Sequence, residues 1–193
     1  MMKFEKYLIV VFAFSTLLIA CTNKEKSRQH ISDMQIQVDS MLAVAEVLSP
    51  EQKAKVDELI KEYVAYSEKY PEDSLGAAYL FESARLNARK PDFQAAIEMF
   101  RKVVDKYPAD DLAPKSLLSI GGIYDVTLND YPKAEVAYKE LLEKYPLQAQ
   151  EYGIDIVLKT LGKSPDEILR ELQAASGDSS DISNLQTEEN KNQ

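Results

Sequence analysis

Apolar and polar positions alternate along most of this chain with the spacing of helices, and the pattern repeats. Residues 92–108 align with 130–146 position by position: Ala96 with Ala134, Phe100 with Tyr138, Val103 with Leu141. Each trio runs i, i+4, i+7, one face of an α-helix. A weaker copy carries Leu59, Tyr63 and Tyr66. All three blocks end in Lys-Tyr-Pro, at 69–71, 106–108 and 144–146, spaced 37 and 38 residues apart. Each proline predicts a helix end, because it cannot continue the helix and drives the preceding residue out of the α region. A second stripe follows each of the first two Tyr-Pro pairs. Residues 74–90 carry Leu75, Ala78, Leu80, Phe81, Ala84 and Leu86, and residues 111–128 carry Leu112, Leu117, Leu118, Ile120, Ile123 and Tyr124. Pro114 falls in the first turn of the latter, where its missing N–H costs nothing. The unit is therefore two helices and a proline stop, and neither helix buries its stripe without its neighbours.

The flanks continue the pattern. Ser49-Pro50-Glu51-Gln52 is a capping box with proline at the first helical position, opening the helix that ends near Lys69. Residues 33–48 predict its partner, with Met34, Val38, Met41, Ala45 and Leu48 on one stripe. Residues 147–161 predict a single helix stopped at Gly162. Ser164-Pro165-Asp166-Glu167 repeats the cap signal and opens a short helix through about Gln173. Residues 175–193 are rich in Ser, Asn, Asp, Glu and Gln, which predicts a disordered tail.

These blocks resemble the tetratricopeptide repeat (TPR). Gly121 and Tyr124 stand where that family places residues of its first helix. Asn129-Asp130-Tyr131 stands at the turn, and Ala134, Tyr138 and Pro146 occupy the second helix. The preceding unit offers Ala84, Pro91-Asp92-Phe93, Ala96, Phe100 and Pro108. The resemblance covers about residues 32–174 and implies an all-α fold, a short right-handed TPR solenoid of about three and a half helix-turn-helix units. The first unit departs, with Leu59 where alanine is expected. In TPR proteins the first helices line a groove for peptides or partner helices. That register places Ala78, Phe81, Arg85 and Arg89 on the groove face of one unit, and Lys115, Leu118, Gly122 and Asp125 on the next. Arg85, Arg89 and Lys115 would then form a basic spot suited to a carboxylate or acidic segment. The alternative is local: Phe81 and Leu118 pack onto the next repeat and the arginines pair with nearby Glu.

The first 20 residues read as an address. Lys3 and Lys6 precede an apolar run of 13 residues, Tyr7 to Ile19. That is shorter than the roughly 20 residues a membrane-spanning helix needs and fits a secretory signal. The run ends Leu18-Ile19-Ala20-Cys21, which resembles the bacterial lipobox. The resemblance implies cleavage before Cys21, thioether linkage of its sulfur to diacylglycerol, and acylation of its amine. Thr22, in place of the Asp that retains lipoproteins in the inner membrane, points to an outer-membrane anchor. The body is expected to face the periplasm, with a surface-exposed or inner-membrane lipoprotein as the alternatives. Residues 21–31 are expected to be the lipidated Cys and a flexible polar tether.

Composition narrows the chemistry. The chain has 193 residues, with 23 Lys+Arg against 32 Asp+Glu, one Cys and one His. Removing residues 1–20 leaves 21 basic and 31 acidic residues, a net charge of −10. That sign argues against general nucleic-acid binding. A single Cys and a single His exclude a disulfide framework, a Cys-based zinc site and any two-His site. His30 lies in the expected tether. Gly162-Lys163-Ser164 is not a phosphate loop, because Val157 stands where the motif needs Gly and the preceding segment reads as helix. No catalytic residue, metal or cofactor is expected. The combination of lipobox and TPR units ending in Tyr-Pro is similar to the TPR lipoproteins of the outer-membrane β-barrel assembly machinery and to the periplasmic TPR coordinators of the Tol–Pal system. The expected role is a non-enzymatic protein-interaction scaffold of the envelope, whose partners are envelope proteins or peptide segments. An accessory part in outer-membrane protein assembly is one alternative. A small-ligand receptor or enzyme using the groove is another.

Overall fold

The computed structural model describes the backbone of residues 2–44 and 47–175 and the side chains from Thr22 onward. The chain is all-α, with no strand among the described residues. Its elements are α1 (Met2–Leu42), α2 (Pro50–Lys69), α3 (Leu75–Arg89), α4 (Phe93–Lys106), α5 (Leu112–Gly122), a π-helical turn (Ile123–Thr127), α6 (Tyr131–Lys144), α7 (Pro146–Glu151), α8 (Ile154–Thr160) and α9 (165–175). Among the described residues no helix is long and apolar enough to cross a membrane. The chain divides into two compact units, Met1–Ile120 and Gly121–Gln193.

The caps explain where the helices begin and end. Ser49 and Gln52 form the expected capping box on α2: Gln52 N–H donates to Ser49 Oγ at 3.2 Å, and Ser49 N–H to Gln52 Oε1 at 2.8 Å. Asp92 and Asp130 open α4 and α6 in near-identical conformations (φ −95°, ψ 72° and φ −93°, ψ 72°), each accepting from the N–H three residues on. Tyr70, Tyr107 and Tyr145 close α2, α4 and α6 with φ between −129° and −134°, and each cap N–H reaches the carbonyl four residues back. The turns after the first two tyrosines also match. Asp73 N–H donates to Tyr70 O and Asp110 N–H to Tyr107 O, both at 3.0 Å. Leu75 N–H then reaches Asp73 Oδ1 at 3.0 Å, and Leu112 N–H reaches Asp110 Oδ1 at 2.9 Å. The 37-residue sequence period is thus also a period of hydrogen bonds.

In the first unit, neighbouring helices α1 to α4 pack in chain order. Ile31, Val38 and Leu42 of α1 lie buried with Val56, Leu59, Tyr63 and Tyr66 of α2 and Leu86 of α3. Gly76 is required by closeness: a Cβ there would stand 2.1 Å from the Tyr107 hydroxyl. In the second unit α6 packs on α7, α8 and the π turn, burying Ala134, Ala137, Tyr138, Leu141, Ala149 and Ile154.

Three expectations are corrected. Residues 22–31 are no loose tether. They continue α1, and Ile31 is fully buried. The partner of α2 stops at Leu42 rather than Leu48, and Ala45 lies outside the described residues. The helix expected over 147–161 is two, α7 and α8, because Gly153 adopts a left-handed φ of 66° between them. Gly162 does end α8's segment, at φ 72°. Ser164 and Glu167 form the expected reciprocal cap on α9. The expected signal segment's side chains, Cys21 among them, and the tail from 176 lie outside the described residues.

Two adjacent glycines give opposite expectations. A Cβ on Gly121 would lie 2.3 Å from Cε1 of buried Tyr138, whereas one on Gly122 meets nothing within 4 Å. Gly122 is right-handed helical (φ −62°, ψ −37°). Gly121→Ala should therefore destabilise by about 1–3 kcal/mol through overpacking. Gly122→Ala should stabilise by about 0.5–1 kcal/mol through lost unfolded-state entropy. Thermal melts of the two variants should move in opposite directions, and equal shifts would refute the crossing contact.

Candidate functional site

The expected groove residues are distributed as follows. Ala78, Phe81, Arg85 and Arg89 lie on α3. Phe81 is half-buried and meets Phe100 edge-on, ring centroids 5.2 Å apart. Arg85 is exposed, and its Nη1 donates to both carboxylate oxygens of Glu82 at 2.9 and 3.0 Å. Arg89 donates from Nη2 to the Leu42 carbonyl at 2.5 Å, holding the C-terminal end of α1, where the last carbonyls favour a cation. A cleft of about 340 Å³ between α1 and α3 is lined by Asp39, Leu42, Glu82, Arg85, Leu86 and Arg89. The fold thus brings Arg85 and Arg89 together over an apolar floor. Glu82 realises the local pairing expected as the alternative for the arginines, and Asp39 is an acid from α1 that the register of α3 does not supply. Lys115 is exposed on α5 and Leu118 half-buried beside it, and neither lines this cleft. Asp125 belongs to the second unit, in the π turn, where it accepts from Tyr138 Oη at 3.5 Å. Of the three expected cations, this cleft holds the two arginines, with Asp39 and Glu82 beside them. The cleft can offer bidentate guanidinium contacts to a carboxylate together with apolar contact to Leu42 and Leu86.

A second cluster was not foreseen. Asp73, 7% exposed, sits at the turn before α3. Its Oδ2 receives Lys24 Nζ at 2.8 Å and Arg28 Nη2 at 2.6 Å, both from α1. Its Oδ1 receives the Leu75 N–H. Arg28 Nε donates in turn to the Tyr66 hydroxyl at 2.7 Å. Burial pushes the Asp73 carboxyl up, but the hydrogen bonds from Lys24, the Leu75 N–H and Arg28 outweigh it and hold the carboxyl well below the usual range. Beside it the Tyr107 hydroxyl is buried with no hydrogen-bond partner among the described residues, and burial followed by the charges of Asp73 and Glu72 pushes that phenol up. Two sequence signals bear on this cluster. Asp73 and Asp110 stand 37 residues apart at matching turns, and Lys24 and Arg28 are spaced i, i+4 on one helix face.

The depressed carboxyl fixes a pH dependence. A group ionised more readily when folded than when unfolded adds stability above its unfolded value, about 4 for Asp, and loses it as pH falls through the lower folded value. Asp73 should therefore stabilise the first unit fully at pH 7 and 5 and progressively less below about 4. Urea unfolding of the protein and of Asp73→Asn should differ most at neutral pH, and the gap should narrow steadily as pH falls from about 4 to 2.5. A constant gap would refute the pairing.

Against this geometry, no protein-family profile, curated protein or solved structure matches the chain.

Proposed function

We propose that the chain is a bacterial TPR lipoprotein: Cys21 carries the acyl anchor, and the helical body is a non-enzymatic scaffold for envelope proteins or their peptide segments. The observation that carries the repeat reading is the recurrence, 37 residues apart, of one turn with the same backbone bond and the same side-chain cap at Asp73 and Asp110. Gly76 beneath Tyr107 and Gly121 beneath Tyr138 support it, since small residues let repeat helices cross closely. The α1–α3 cleft is the proposed partner surface. It offers Arg85 and Arg89 for a carboxylate and Leu42 and Leu86 for an aliphatic side chain.

The test is affinity capture of the protein from gently solubilised envelopes, with Arg85→Glu combined with Arg89→Glu as the comparison. The reading expects one set of envelope proteins to be lost in the double variant and also in Arg85→Glu alone. The melt of Arg85→Glu should stay within a few degrees, because an exposed ion pair contributes only about 0.2–1 kcal/mol. Arg89→Glu also gives up the Leu42 carbonyl and should lower the melt further. Capture that survives the double reversal removes this cleft as the binding surface. Enrichment of β-barrel assembly components would place the scaffold in that machinery.

A further inference from the structure

The segment next to Cys21 is built into the body at two points. At its start, Lys24 and Arg28 hold Asp73, which precedes α3. At its end, Leu42 O accepts from Arg89, the last residue of α3. Start meets start and end meets end, so α1 and α3 run in the same direction. Between these points Ile31 and Val38 are buried. Such a helix, with apolar and ionic contacts along its length, behaves as a strut.

We propose that the turn end of the first unit, residues 70–74 together with 106–107, is the face of the body held against the lipid surface, with α1 as the rigid link. The proposal rests on the acylation of Cys21 put forward above. Lys24 follows Cys21 by three residues, about 4.5 Å of helix rise. The headgroup layer on each side of a bilayer is roughly 5–8 Å thick. A carboxylate clamped to Lys24 and Arg28 is therefore kept within about a headgroup's depth of the anchor. Pro71, Glu72, Ser74, Lys106 and Tyr107 surround Asp73 around one open hollow and come with it. The opposite end of α3 lies 15 residues further on, about 22 Å away. Attraction to anionic lipid does not bring the turns there: exposed Lys69 and Lys106 stand among exposed Glu68, Glu72, Asp105 and Asp111. Covalent continuity and the Asp73 clamp do.

The test uses the full-length protein isolated with its lipid and reconstituted in phosphatidylcholine vesicles containing headgroup-spin-labelled lipid. Single thiols for a fluorophore are introduced by Glu72→Cys and Gln94→Cys, both exposed positions at opposite ends of α3. Quenching should be several-fold stronger at 72 than at 94 and insensitive to salt. A ten-residue Gly-Ser insertion between Thr22 and Asn23 leaves the clamp in place and adds about 18 Å of slack. It should erase the difference without changing the helical signal. Equal quenching at the two positions, stronger quenching at 94, or a difference that survives the insertion would overturn the proposal. The unsubstituted protein separates the two claims: an acylated Cys21 presents no thiol, so its labelling would overturn the lipid anchor itself.

Discussion

Tyr66→Ala is expected to cost the protein about 3–5 kcal/mol, the range for removing a large aromatic from a packed core. Against the total of about 5–15 kcal/mol that holds a typical domain together, this is a large fraction. The melting temperature should fall on the order of 15 °C. Tyr66 is 1% exposed, and its ring meets Tyr79 edge-on at 4.9 Å and Tyr70 at 4.8 Å, while Tyr79 stacks on Tyr63 at 4.9 Å. Removing the ring opens a cavity among side chains from α1, α2 and α3 together. It also takes the hydroxyl from Arg28 Nε. Tyr66→Phe separates the two effects, because it keeps the ring and removes only that acceptor. Arg28 is partly solvated, so water can replace the lost bond, and the cost should be about 1 kcal/mol. Matched thermal and urea unfolding of the two variants checks this. If both lose the same amount, the aromatic cluster is not what ties α1 to the body.

That cluster also separates what the chain's pattern makes legible from what it does not. The ends of α2, α4 and α6 are set by local chemistry: Ser49 with Gln52, Asp92, Asp130 and three tyrosines before proline. Local signals survive in a sequence because their partners sit three or four residues away. Glu82, which pairs with Arg85, was within reach by the same rule. The helix over 22–31 was hidden because its polar residues read as solvated. Only Asp73, 45 residues from Arg28, shows why a buried turn needs cations there. Arg89 and Leu42, 47 residues apart, were hidden for the same reason. The break at Gly153 was masked by an apolar stripe that continues across it, although a glycine after a short helix is itself a stop signal. Nonlocal pairing, and not weak helix propensity, is therefore what the pattern failed to convey.

The same division bears on the anchor. The proposed acylation rests on a local signal, four residues ending at Cys21, and Cys21→Ser is expected to abolish it outright. Palmitate incorporation should vanish. The mass should rise to that of the uncleaved chain, because cleavage requires the lipidated Cys. The protein should also leave the outer-membrane fraction. The size of this effect follows from chain energetics. Each buried methylene contributes about 0.8 kcal/mol, so one acyl chain holds a protein only marginally while two or three hold it stably. The retained apolar run of 13 residues falls short of the roughly 20 needed to span a bilayer and cannot substitute. The folded body should be untouched, because Lys24 and Arg28 still reach Asp73. Metabolic labelling, intact mass and membrane fractionation of Cys21→Ser read these consequences separately. Unchanged mass and unchanged fractionation would remove the lipid anchor and, with it, any reason for the body to present its turn end to a membrane.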